Sequence, residues 1–208
     1  MGSLGRIPAS GGSPSAALRW VRDASRRDGF SIPELLLVLL LVAVLSLLII
    51  PNIEIVKYRM DGAARGAAAA LVAAQRQAVV RQHDVIVAFD VANRRLRIHQ
   101  DSDNSGQIES GEQTRMVSFD EGVVFGLDGA PPLFSTAVVS FTENQGGLPA
   151  LRFIRNGSAS EEGHIYLTST RAAATGAHPR DTRAVKVDRA TGRVTWYYYD
   201  RDEWKKGF

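Results

Sequence analysis

The sequence predicts an α+β fold: a long N-terminal helix, half membrane-like and half amphipathic, packed on an antiparallel β-sheet or sandwich head. Three observations predict it. From Phe30 to Ile50 the chain is apolar with one charge, Glu34. From Ile53 to Ala78 apolar residues recur at three- and four-residue steps, the stripe of a helix buried on one side. From Asp84 onward the period becomes two, as in strands.

Residues 1–17 are rich in Gly, Ser, Ala and Pro, lack periodicity and read as disordered. Arg19, Arg22, Arg26 and Arg27 then precede the apolar run, which by the positive-inside rule keeps the amino terminus cytoplasmic and sends the rest across. At 1.5 Å per residue the run covers roughly 30 Å, the thickness of a bilayer's hydrocarbon core. An ordinary signal anchor accounts for Leu35–Ile50 but not for Glu34. A charge at the centre of a span costs on the order of 2.5–3.5 kcal/mol, which marks an intramembrane carboxylate as functional. Ser25-Arg26-Arg27 also resembles the start of a twin-arginine export signal, but the apolar run is too long for one and no Ala-x-Ala follows.

The net charge of +3 belongs to the first 29 residues, where five arginines meet Asp23 and Asp28. The rest carries 20 basic and 20 acidic side chains. Beyond the span about 155 residues remain, enough for one domain with its own core. There is no cysteine, so disulfides and thiolate metal sites are excluded.

Pro51 removes a backbone donor, so a bend rather than a break is expected there in one helix of about 50 residues. The buried stripe is Ile53, Val56, Met60, Ala63, Ala67, Leu71, Ala74 and Ala78. Small residues dominate Ala63–Ala74, with Gly62 and Gly66 in or beside it, which suits a sheet pressed close or helix packing between subunits. Val85, Val87 and Phe89, then Leu96 and Ile98 across a turn near Asn93, predict a β-hairpin. Further strands are expected at Arg115–Phe119, Val123–Leu127, Ala137–Phe141, Leu151–Arg155, His164–Thr168, Arg183–Val187 and Arg193–Tyr199. The end, to Phe208, reads as a solvated tail.

The segment Gly29-Phe30-Ser31-Ile32-Pro33-Glu34, behind a basic stretch and ahead of a long apolar helix, resembles the processing site of type IV prepilins and type II secretion pseudopilins. The resemblance implies that a prepilin peptidase cuts between Gly29 and Phe30 and methylates Phe30. It also implies that Glu34 serves assembly and that Pro51 kinks the helix. Asp28 stands where Lys or Arg is usual, and a leader of this length is long for the family. Leu151–Gly157, His164–Leu167, Arg183–Val187 and Thr191-Gly192-Arg193 resemble the head of GspH/FimT-like minor pseudopilins. The implied organisation is a cleaved leader at 1–29, a transmembrane half-helix at 30–51, an amphipathic half at 52–82 and a periplasmic, pilin-like head at 83–208. The implied protein is a single-pass inner-membrane subunit of a pseudopilus or type IV pilus. Its implied partners are other pilins, the peptidase and the inner-membrane assembly platform.

One other segment carries chemistry. Asp101, Asp103, Ser105, Gln107, Glu109 and Glu112 occupy positions one, three, five, seven, nine and twelve of an EF-hand calcium loop, with Gly106 at six. Alternating oxygen ligands wrap one hard cation, and Gln107 would supply its backbone carbonyl. The flanks read as strands, and a plain polar turn is the alternative. Catalysis finds no support: His83, His99, His164 and His178 show no metal spacing, and no nucleophile or phosphate motif occurs. The aromatic and basic end, Trp196–Phe208, raises DNA or surface binding as an alternative function. The neutral balance after residue 29 weighs against nucleic acid, whose affinity needs a clustered basic face.

Overall fold

The computed structural model describes residues 30–49, 55–109 and 111–208. The expected leader and Pro51 lie outside them. The chain divides into two units, residues up to 53 and Glu54–Phe208.

In the first unit, helix α1 spans Ile32–Ile49. Ser31 caps it: its hydroxyl accepts from the Glu34 N–H at 3.4 Å and its carbonyl from the Leu35 N–H at 3.0 Å. Ser followed three residues later by Glu is a capping-box pattern, and the carboxylate also suits the positive end of the helix dipole. Every described side chain of α1 is exposed, from Leu35 to Leu45 and beyond. Its 18 residues measure about 27 Å. Among the described residues no helix is long and apolar enough to cross a membrane.

The second unit begins with α2, Ile55–Arg81, whose buried side chains are Met60, Ala64, Ala67, Ala70, Leu71, Ala74 and Ala78. Ala64 and Ala70 widen the expected stripe, Ala63 is only partly buried, and Ile53 lies outside the described residues. Alanines let the sheets approach closely, and two polar clamps fix the register. Arg183, fully buried, binds Asp61 at 2.8 Å and the Lys57 carbonyl at 3.4 Å. Fourteen residues along α2 from Asp61, Gln75 Nε2 donates to the carbonyls of Gly157 at 2.6 Å and Thr191 at 2.8 Å. Glycine is required at position 192: a Cβ there would stand 2.3 Å from the Gly157 oxygen.

Two five-stranded antiparallel sheets follow. One has the order β3-β2-β1-β6-β5: β1 Asp84–Asp90, β2 Arg95–Asp101, β3 Thr114–Ser118, β5 Glu143–Gln145 and β6 Leu148–Phe153. The other has the order β10-β9-β8-β7-β4: β4 Val123–Phe125, β7 Gly163–Ser169, β8 Arg183–Val187, β9 Val194–Asp200 and β10 Glu203–Lys206. A short helix α3, Thr170–Thr175, follows β7. The main core packs α2 against Val85, Val87, Phe89, Leu151, Ile165, Val185 and Trp196.

Two expectations are corrected. Ala137–Phe141 is not a strand; only Val139 bridges to Ile165, and Phe141 turns to stack on Phe89 at 4.9 Å between centroids. The supposed tail folds back, and Glu203–Lys206 pairs with Tyr197–Asp200 as β10. Strands β1 and β7 are buried at every position. The outer side of the first sheet is an apolar patch of Ile86, Ala88 and Ala150, against which Ile108 and Leu148 pack. On the second sheet the stretch 129–137 lies over Tyr166, whose hydroxyl accepts from the Leu133 and Phe134 N–H groups, both at 2.9 Å. Trp204 donates to the Pro131 carbonyl at 3.0 Å.

Candidate metal centre

β2 ends on Asp101 and β3 begins shortly after Glu112, so the antiparallel ladder that joins His99 to Thr114 brings the two acids towards one another. Carboxylate oxygens of Asp101, Asp103 and Glu112 come within 4.8 Å of one another, a convergence of oxygen donors suited to calcium or magnesium. Glu109 is outside this group. Ser105 and Gln107 bond one another instead, the Ser105 hydroxyl donating to the Gln107 carbonyl at 3.4 Å.

Backbone N–H groups hold the acids in place. Asp101 accepts from Ser105 at 2.9 Å and from Gly106 at 2.8 Å; Asp103 accepts from Ser105 at 3.0 Å. The two oxygens of Glu112 accept from Ser102 at 3.0 Å and Glu109 at 3.2 Å, closing the loop from its far end. Gly106 turns the chain at a φ of +75°, in the left-handed region that glycine adopts freely. Asn104, at +59°, accepts from the Asp84 N–H at 2.8 Å and so ties the loop to β1.

Asp101 is fully buried and Asp103 exposed. Burial raises the Asp101 carboxyl above its ordinary value, the N–H groups of Gly106 and Ser105 oppose this, and the neighbouring Asp103 and Glu112 add to the rise. Asp103 is lowered, chiefly by the Ser105 N–H. The cation nearest the loop in this network is Arg152, which packs against Gly106 but pairs with Asp84 at 3.6 Å and Glu143 at 3.8 Å. Three acids therefore converge with one of them buried, a donor set that a divalent ion fits.

His99 was set aside in the sequence for want of metal spacing, although strand alternation puts it on the face of Asp101. It is buried, bonded through Nδ1 to the Thr114 hydroxyl at 2.7 Å, and its Nε2 has no partner. Burial lowers its pKa, the Arg97 charge adds to that, and Glu112 opposes it. Among the other predicted residues, Phe30 and Glu34 are exposed at the head of α1, whereas Gly29 lies outside the described residues.

No family model matches the chain, and no curated protein matches it. Two solved structures of the minor pseudopilin EpsH from the type II secretion system of Vibrio cholerae are similar to it. One is 16% identical, covering 67% of this chain and 95% of that one; the other is 18% identical, covering 67% and 93%. Both superpose with a TM-score of 0.43.

Proposed function

We propose that this chain is a structural subunit of the pseudopilin type, anchored by the apolar stretch of residues 30–51 and built into a periplasmic pseudopilus or type IV pilus. The observation that carries it is Gly29-Phe30 followed by Glu34 at the head of a helix whose described apolar side chains are all exposed. Such a surface calls for lipid or neighbouring helices rather than water. In this reading the peptidase releases residues 1–29, methylated Phe30 becomes the first residue, and Glu34 meets the amino terminus of a neighbour. Opposite charges attract strongly in such a low-dielectric bundle, though only good geometry offsets their desolvation.

Intact-mass spectrometry of the protein from its native membrane tests the processing step. The expected mature chain starts at methylated Phe30, and Gly29→Ala retains the leader. A terminus elsewhere removes the basis of the assignment. In the same membranes, Glu34→Ala is expected to be cut normally yet to lose cross-links to partner pilins; unchanged adducts would sink the assembly role.

A second proposal concerns the head: Asp101, Asp103 and Glu112 hold a structural calcium ion, with Ser105, Gln107 and Glu109 completing the sphere when it binds. The convergence of the three carboxylates, with Asp101 buried, favours this over a plain polar turn. DNA binding has no comparable support.

A further inference from the structure

Four strands form the sheet edges, and they are unequally protected. β4 is a three-residue edge, backed at its end by the bond from Thr170 N–H to the Gly122 carbonyl. β5 is equally short, and beside it Glu161 accepts from the N–H groups of Thr142 and Glu143. β10 carries Lys205 and Lys206, and lysines discourage edge pairing. β3 is the longest at five residues and almost wholly exposed, with Met116 54% exposed.

The register shows which β3 groups are free. Gln100 N–H donates to the Gln113 carbonyl at 3.0 Å and Phe119 N–H to the Arg94 carbonyl at 2.9 Å. Bonded pairs in an antiparallel ladder recur at every second residue, so between these two it is Arg115 and Val117 that bond β2. Thr114, Met116 and Ser118 direct their N–H and carbonyl groups outward, and among the described residues β3 pairs with no other strand.

Beside this edge a cavity of about 250 Å³ opens between β3 and α2, lined by Arg59, Gly62, Ala63, Gly66, Val117 and Phe119 among others. A Cβ on Gly62 or Gly66 would meet nothing within 4 Å, so the α2 wall is open. By strand alternation Arg115 shares the face of Val117, on the cavity side. Arg59 and Arg115 make no ion pair with a described residue, while Asp120 is the one carboxylate on the lining.

We propose that the β3 edge docks an extended acidic segment of another protein, which joins the sheet as a sixth strand. Its backbone pairs with Thr114, Met116 and Ser118. Its inward side chains place small apolar groups over Gly62 and Gly66 and carboxylates against Arg59 and Arg115. Backbone pairing supplies affinity and alternate side chains supply selection, as in other strand-addition sites.

The test is amide hydrogen exchange on the full chain in detergent micelles, with the peptide Glu-Thr-Val-Thr-Val-Thr-Glu as probe. Exchange at Thr114, Met116 and Ser118 is expected to slow by roughly tenfold or more at saturation, the mark of new hydrogen bonds. Replacing both glutamates by lysine weakens binding at least about fivefold, a gap that salt narrows. Met116→Pro deletes one outward N–H while leaving the β2 ladder whole, and abolishes the effect at an unchanged melting temperature. Arg59→Glu with Arg115→Glu, a pair that spares the backbone, reverses the preference towards the lysine peptide. No slowing at millimolar peptide, equal binding of the two peptides, or peptide binding to folded Met116→Pro would overturn the proposal. So would protection that grows with protein concentration without peptide, because that places a second copy on the edge.

Discussion

Two buried aspartates stand at opposite ends of the β1–β2 ladder, Asp90 opposite Arg95 and Asp101 opposite Asp84. Asp90 is surrounded by donors: Arg95 and Arg97 each bond it through Nε at 2.9 Å, and Asn93 Nδ2 bonds it at 2.8 Å. Burial alone would raise its carboxyl, but the bonds from Arg97, Arg95 and Asn93 outweigh that and hold it far below the usual range. Asp101 is just as buried, yet the charges facing it are Asp103 and Glu112, and its carboxyl is raised. One hairpin thus carries a carboxylate with its cations built in and a carboxylate without them. The difference teaches that burial of an acid is not itself a site; the sign of what surrounds it decides.

The largest expected effect comes from breaking the satisfied end. Asp90→Ala leaves two guanidiniums facing an emptied pocket and should cost about 3 kcal/mol in urea unfolding at neutral pH. Because the folded Asp90 value is depressed, its contribution is present above the unfolded value near pH 4 and is lost as pH falls through the folded one. The Asp90→Ala penalty should therefore shrink in strong acid. A penalty that is constant with pH would show that the ion pairs are not its source.

At the other end the proposed calcium ion would supply the missing charge. Calcium at ten times its dissociation constant should stabilise the wild-type protein by about 1.4 kcal/mol, read as a higher melting temperature. Asp101→Ala with Glu112→Ala should erase the shift, and no shift in the wild type leaves the loop a polar turn.

The smallest effect sharpens the contrast most. With chelator present at neutral pH, Asp101→Asn should change stability by less than about 1 kcal/mol, since it removes a buried charge beside two others but sets an amide NH2 against one of the Ser105 and Gly106 N–H groups that both carboxylate oxygens accept. With calcium present the same change should destabilise. The linked pH effect has the opposite sign from that of Asp90. A raised folded carboxyl destabilises above its folded value, so the chelated wild type gains stability as pH falls from there towards about 4. A chelated wild type that only loses stability over that range would contradict the raised carboxyl.

Features written in consecutive residues were legible in the sequence. Asp101, Asp103 and Glu112, whose oxygens converge, and Gly106 at the turn stand at fixed spacings, and β8 falls at Arg183–Val187 as its alternation predicts. The α2 stripe was visible because period survives in alanines. What could not be read depends on distant partners. Asn104 reaching Asp84, and Ile108 seated on Ile86 and Ala150, follow from how the loop folds over the sheet. β10 was missed because four residues, three of them charged, show no strand pattern until Arg201 and Asp202, both at positive φ, turn them onto β9. Pro51 and Gly29, with the kink and the cut expected at them, lie outside the described residues.

The two clamps on α2 have a mechanical consequence. Asp61 and Gln75 are fourteen residues apart, about 21 Å along the helix axis. Gln75 grips two separate turns of the head, and Asp61 holds an arginine rooted in the middle of a sheet. A force drawn along α2 from its amino end must strain both anchorages in shear and drag a row of interlocked alanines at the same moment. The head is thus fastened to its stem as a riveted plate is, resisting axial load as a unit rather than yielding bond by bond.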